Sequence, residues 1–255
     1  MRIVRYQIED REPEYGWLLG DRVGPIQGDL FSTFQRLEAD RPLEEVKLLP
    51  PVVPSKVICV ARNYTAHAEE HNALVPEVPA LFLKPPSAVI GPGEEIILPP
   101  QSRRVEQEAE LAVVIGKSGR WIPAEDAHEH ILGYTIGNDV TERHFQREDL
   151  LWTRGKGFDT FAPLGPWIET ELDPSDAMIS CRINGELKQM TSTRDMVFRI
   201  DQLIAFASSF MTLTPGDVIL TGTPEGVSQL QDGDLVEITI DGIGTLINPV
   251  AQSQR

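Results

Sequence analysis

Glu106-Gln107-Glu108-Ala109-Glu110-Leu111-Ala112-Val113-Val114-Ile115 decides how this chain is read. Successive side chains of a strand point to opposite faces, so Leu111, Val113 and Ile115 form a buried stripe and predict a β-strand. The same alternation gathers Glu106, Glu108 and Glu110 on the other face. Carboxylates two residues apart on one face repel. That leaves a solvated strand face, or a site where a hard cation such as Mg²⁺, Mn²⁺ or Ca²⁺ neutralises them.

A second acid bears on that choice. Leu132-Gly133-Tyr134-Thr135-Ile136-Gly137-Asn138-Asp139 is a mostly apolar run that closes on an acid. At the end of a strand a carboxylate can reach the rim of a site, whereas mid-strand it carries a desolvation cost. A turn, or the N-cap of the next helix, accounts for Asp139 equally well. Joined to Glu108 and Glu110, it would make a three-carboxylate site with positions left for water and a chelating substrate.

Around this centre the pattern is short strands with few helices, an α+β fold without regular βαβ alternation. Ile3–Tyr6 reads as a strand, and Trp17–Leu19 pairs with Arg22–Gly24 across Gly20-Asp21. A short helix is expected over Phe31–Glu38. The Pro-rich segment Leu48–Pro54 favours extended chain. It separates a small β-rich unit, residues 1–50, from a larger domain, residues 51–255. Beyond it, strands are expected at Val57–Val60, Phe82–Lys84 and Ile96–Leu98, and helices at Tyr64–His71, Ala124–His130 and Asp201–Met211. In the last helix Leu203, Ile204, Ala207, Phe210 and Met211 recur at three- and four-residue steps. Thr214-Pro215-Gly216 ends it, and Asp241-Gly242 suits the turn of a final hairpin.

The 255 residues suffice for one or two domains with a large core, and 41% are hydrophobic. No apolar run is long enough to span a bilayer. Met1–Tyr6 lacks the apolar centre of a signal peptide, so cytoplasmic residence is the expectation. Cys59 and Cys181 suggest no disulfide framework. With 23 basic and 39 acidic residues the net charge is −16, which argues against nucleic acid and anionic membrane as partners. To bind a small carboxylate, such a chain must build positive potential locally. Arg62, Lys84, Arg143, Lys156 and any metal are the sources.

His67 and Glu70 lie three apart, on one face of a helix. They form either a base with its orienting carboxylate or part of a solvated acidic helix. His128 and His130, two apart in a helix, point to different faces and make no metal pair. Gly155 and Gly157 allow close backbone approach around Lys156, which then meets a ligand or pairs with Asp159. Thr223, in a Gly-rich turn, can donate to a carboxylate or serve the turn alone.

Taken together, Cys59–His67 (with its Asn-Tyr-x-x-His pattern), Leu81–Pro85, Glu108-x-Glu110, Asn138-Asp139-Val140, Arg154–Phe161, Asn184-Gly185-Glu186 and Pro215–Pro224 resemble the fumarylacetoacetate hydrolase family in order and spacing. The resemblance runs from about Lys56 to Val250. It implies that family's strand-rich α+β C-terminal fold, and a homodimer. It implies Mg²⁺ on Glu108, Glu110 and Asp139, with Mn²⁺ possible and Ca²⁺ able to substitute. His67 and Glu70 become a water-activating dyad on a mobile lid. Lys156 holds the substrate and stabilises negative charge on its oxygens. Lys84 and Gln146 match positions at the substrate's carboxylate end, and Arg62 a position near the lid; Thr223 completes the expected contacts.

The substrate implied is a small 2-oxo carboxylate. Cleavage of the C–C bond of an acylpyruvate (a 2,4-dioxo acid) through a metal-stabilised enolate is the expected activity. The alternatives are isomerisation or decarboxylation of a 2-oxo or 2-hydroxydienoic diacid in aromatic catabolism, or oxaloacetate decarboxylation. A non-catalytic binding protein on the same fold is a further one, and loss of His67 or a carboxylate would have favoured it. The chain departs from the family pattern at Ala61, His144 and Gly157, none a proposed ligand or dyad member.

Overall fold

In the computed structural model, which describes residues 1–70 and 72–254, the strand Ala109–Ile115 is buried along its whole length. It lies between Ile131–Asn138 on one side and Val218–Leu220 on the other, antiparallel to both. Val113 and Ile115 pack against Leu203, Ile204 and Ala207 of the helix Ile200–Phe210. On the same face Leu111 meets Ile179, Cys181 and Ile238 of a second sheet. The opposite face is also closed, because Ala112 and Val114 pack with Ile3, Val57, Cys59 and Leu164. The expected alternation is present, but the acidic face is not a solvated one. Glu108 is 4% exposed and Glu110 1%.

These strands belong to a thirteen-stranded sheet, and a five-stranded sheet packs against it. The N-terminal strands Arg2–Gln7, Glu14–Leu19 and Arg22–Gly28 continue the large sheet. They join it where Arg2 and Ile3 pair with Glu169 and Ile168. The fold is mixed and strand-rich, an α+β architecture as expected. No helix among the described residues is long and apolar enough to cross a membrane.

Three local expectations differ from the structure. Phe31–Glu38 is not a helix: Phe34–Arg36 is a short strand paired with Arg22–Gly28. Asp29 explains this, since its Oδ1 accepts the Phe31 N–H at 3.0 Å and its carbonyl accepts from Ser32. Such side-chain turns compete with helix formation. Ala124–His130 is helical but of the tighter 3-10 type. Glu106 sits in a separate two-residue strand, Val105–Glu106, paired with Thr141–Glu142, so it is not in register with Glu108 and Glu110. The helix beginning near Tyr64 spans Thr65–Glu70; His71, its expected end, lies outside the described residues.

Candidate active site

Two strand ends assemble the acidic centre. The Glu108 N–H donates to Asn138 Oδ1 at 3.0 Å, and the Asp139 N–H donates back to the Glu108 carbonyl at 2.9 Å. This reciprocal pair brings Asp139 beside Glu108 and Glu110. Oxygens of all three acids lie within 4.8 Å of one another, and all three residues are buried. Glu110 Oε2 also accepts the Gly222 N–H at 2.7 Å. Gly222 is required there, since it holds φ +98 and a Cβ would stand 2.7 Å from the Asn63 Cβ.

Buried cations surround the acids. Lys156 Nζ reaches Glu108 at 2.7 Å and Asp139 at 2.6 Å. Arg143 bridges Glu106 and Glu108, at 2.6 Å to each. Lys84 Nζ lies 2.6 Å from Asp139 and donates to the Val140 carbonyl at 2.9 Å. Burial alone would raise the Glu108 pKa, but Lys156 and Arg143 overcome it and hold that carboxyl well below the usual range. Glu110 goes the other way. Burial, then the neighbouring Asp139 and Glu108, push its carboxyl well above the usual range. Glu106 also pairs with Arg104 from the surface, and of these four carboxylates (Glu106, Glu108, Glu110, Asp139) Glu110 alone has no ion pair among the described residues. A divalent cation among the three clustered oxygens would supply the missing charge. With only carboxylate oxygen on offer, the residues fit a hard ion such as Mg²⁺, Mn²⁺ or Ca²⁺ and not Zn²⁺.

His67 reaches the same cavity from the helix Thr65–Glu70. It is 7% exposed, and its Nδ1 lies 3.3 Å from Glu70 Oε2. Glu70 Oε1 accepts the Gly226 N–H at 3.1 Å. Burial lowers the His67 pKa, opposed by Glu108, reinforced by Arg143 and opposed again by Glu70. The outcome favours neutral imidazole, the form able to accept a proton.

The cavity encloses about 240 Å³. The three acids line it together with His67, Lys156, Arg62, Gln146 and Thr223. Two expected site residues stand behind its wall. Glu70 backs His67, and Lys84, 1% exposed, backs Asp139. Lys84, expected at the substrate's carboxylate end, has its ammonium on Asp139 and the Val140 carbonyl. The Thr223 hydroxyl is committed too, donating to the Ala109 carbonyl at 2.9 Å and accepting from Gln189 Nε2 at 2.9 Å.

Gln189 is a residue the sequence did not reveal. From the second sheet it reaches the peptide between Glu108 and Glu110, its Oε1 accepting the Ala109 N–H at 3.1 Å. Its Nε2 donates to Thr223 and to the Pro224 carbonyl. Nothing in Leu187-Lys188-Gln189-Met190 marks that role. In the sequence Arg143 reads only as a source of charge, and Glu106 only as a strand-face acid.

Residues 56–251 match the family model described as fumarylacetoacetate hydrolase C-terminal, and residues 1–51 match the Rv2993c-like N-terminal model. A mitochondrial oxaloacetate tautomerase of Bos taurus is 48% identical over 222 residues, 82% of this chain and 71% of that protein. Among solved structures, 5-carboxymethyl-2-hydroxymuconate delta-isomerase from Mycobacterium smegmatis is similar with a TM-score of 0.93, at 46% identity over 99% of this chain and 100% of that one. Maleylpyruvate hydrolase from Sphingobium sp. SYK-6, in complex with manganese(II) and pyruvate, is similar with a TM-score of 0.83, at 33% identity over 100% of both chains.

Proposed function

This chain belongs to the fumarylacetoacetate hydrolase family, and from that premise we propose that it cleaves the C3–C4 bond of a small acylpyruvate with Mg²⁺ or Mn²⁺ at Glu108, Glu110 and Asp139. The observation that carries this reading is His67, backed by Glu70, lining one cavity with the carboxylate triad. A buried neutral histidine with an orienting acid is what activation of water requires. The cation, when bound, supplies Lewis acidity that polarises a chelating 2-oxo acid and offsets the charge of its enolate.

The chain's own groups account for the remaining steps. With Nδ1–H donated to Glu70, the Nε2 of His67 is the acceptor and takes a proton from water. The oxygen of that water bonds to C4, the C3–C4 bond breaks, and its electron pair leaves with C3 as the enolate of pyruvate. Lys156, held between Glu108 and Asp139, places a fixed positive charge beside the departing oxygens. At about 240 Å³ the cavity falls below the roughly 300–1,000 Å³ usual for drug-sized ligands, which favours a short substrate.

A second reading is keto–enol tautomerisation or decarboxylation of oxaloacetate. It is favoured by the tautomerase relative, at 48% identity against 33% for the hydrolase structure. Mn²⁺-loaded protein assayed on acetylpyruvate, fumarylpyruvate and oxaloacetate separates the two. Release of pyruvate from an acylpyruvate at enzymatic rates is expected. Turnover of oxaloacetate with no acylpyruvate cleavage would replace the first reading with the second.

A further inference from the structure

Glu108 stands between two buried amide contacts, and both lead to the same loop. Before it, Gln107 is 0% exposed. Its Oε1 accepts the Ser228 N–H at 3.2 Å and the Ser228 hydroxyl at 3.3 Å, and its Nε2 donates to the Gly226 carbonyl at 3.5 Å. After it, the Ala109 N–H donates to Gln189, whose Nε2 donates in turn to the Pro224 carbonyl. The loop is therefore tied to the chain on either side of one carboxylate of the acidic centre. Its far end continues the docking, since Gln229 bridges Glu106 and the Leu230 N–H donates to the Val105 carbonyl at 2.8 Å.

At its middle the same loop holds the dyad. Gly226 gives its N–H to Glu70 and its carbonyl to Gln107, while the other oxygen of Glu70 meets His67. The path from His67 to Glu108 thus runs through Glu70, Gly226 and Gln107, with no non-covalent link longer than 3.5 Å.

The residue type suits that task. An amide side chain donates and accepts at once, so Gln107 holds both a carbonyl and an N–H of one loop. It does so without adding charge where Glu106, Glu108, Glu110 and Asp139 are already buried. Methionine or leucine would fill the same space with no polar group to desolvate. Instead, every hydrogen bond that the Gln107 side chain makes among the described residues goes to Gly226 or Ser228. Gln107 lines no part of the cavity.

We propose that Gln107 is a positioning residue: it sets the register between the His67 imidazole and the acidic centre by tying the loop that grips Glu70 to the peptide that carries Glu108. This rests on the reading of His67 as the base, and it adds what keeps that base in place. A loosened loop leaves the imidazole present and correctly charged, but no longer referenced to the carbon under attack.

The test removes the brace with and without the residue through which it acts. Gln107→Met keeps the side-chain length and deletes the bonds to Gly226 and Ser228. In Mn²⁺-loaded protein its kcat for acylpyruvate cleavage should fall roughly ten- to a hundredfold. KM and Mn²⁺ affinity should stay within about threefold of native. In a Glu70→Ala background the same substitution should cost less than about twofold, because the contact it serves is already gone. A residue that merely supports the fold would cost the same factor in both backgrounds, and that result, or an unaltered kcat, overturns the proposal. Ser228→Ala, which deletes one bond from the other side, should give a smaller loss with the same dependence on Glu70, and supplies the comparison should Gln107→Met loosen the strand Ala109–Ile115.

Amide hydrogen exchange reads the brace without turnover. In Gln107→Met the helix Thr65–Glu70 and residues 222–230 should exchange several-fold faster, with Ala109–Ile115 unchanged. Native protein that cleaves no acylpyruvate overturns the reaction reading alone. The brace is then judged by exchange, and a helix Thr65–Glu70 that exchanges as in the native protein overturns it.

Discussion

The Gly226 backbone N–H donates to Glu70 Oε1 across 3.1 Å, while the other oxygen of the same carboxylate meets His67 Nδ1 at 3.3 Å. The orienting acid of the dyad is thus gripped from outside its own helix, by the loop that follows Thr223 and Pro224. That loop is fixed in turn by Gln189, so the dyad and the acidic centre are referenced to one scaffold.

Gly226 sits at φ +94, and a Cβ there would stand 2.0 Å from the Lys188 carbonyl oxygen, which is backbone and cannot step aside cheaply. Gly226→Ala is therefore expected to shift the loop and release Glu70. kcat should fall roughly ten- to a hundredfold, the scale set by small misplacements of catalytic groups. Stability should drop by about 1–3 kcal/mol. Steady-state kinetics on an acylpyruvate and denaturant unfolding check both, and an unaltered kcat would mean that the Gly226 contact does not position the base.

His67→Ala should lower acylpyruvate cleavage about 10²–10⁴-fold, the span of a positioned general base, with metal binding near normal. Glu70→Gln should cost less, because the imidazole remains and only its orientation and basicity suffer. The two act as a unit, so the double variant should be little slower than His67→Ala alone. Full cleavage by His67→Ala would remove the base assignment.

Burial holds the His67 pKa below its ordinary 6.5. A base works in its neutral form, so kcat/KM should rise with pH to a plateau, with its inflection below 6.5. The same shift has a thermodynamic counterpart. With the folded pKa under the unfolded one, the native state binds fewer protons at this site. Its contribution to stability is therefore present above the unfolded pKa and lost as pH falls through the folded one. Unfolding free energies of the native protein and of His67→Gln, followed with pH, should diverge in that sense, and a kinetic inflection above 6.5 would contradict the assignment.

Glu110 bears the uncompensated negative charge of the acidic centre. Glu110→Gln keeps an oxygen for the Gly222 N–H, bonded at 2.7 Å, and removes the repulsion from Asp139 and Glu108. Without metal the variant should melt higher, by about 2–4 °C for each roughly 1 kcal/mol relieved in a chain of this size. The rise in Tm that Mn²⁺ gives the native protein should disappear. A variant that still gained stability from Mn²⁺ would exclude Glu110 from the ligand set.

Much of this was legible because it follows from spacing. Leu111, Val113 and Ile115 do share one face, and Glu110 does point to the other with Ala112 and Val114. Asp139 closes its strand and meets Glu108 and Glu110. What stayed hidden depends on what covers a face or which remote segment arrives. The periodicity of Glu108 and Glu110 cannot say that Lys156, Arg143 and the Gly222 N–H arrive to cover them. Nothing beside Lys84 in the sequence marks its contact with Asp139, 55 residues away. Gln189 comes from another sheet altogether, 80 residues from the peptide that it holds.

The first strand extends the large sheet, and its side chains go further than its backbone. Ile3 and Leu30 lie in one apolar cluster with Val57, Ala112, Leu164 and Ile168, and the Met1 ammonium rests 2.8 Å from Glu169. The segments matched separately by two family models, residues 1–51 and 56–251, therefore share an interior. Calorimetric melting should show one cooperative transition for the whole chain. A protein trimmed of its first 51 residues would bare Ile168 and an unpaired strand edge to water, and should self-associate instead of folding as an independent catalytic unit.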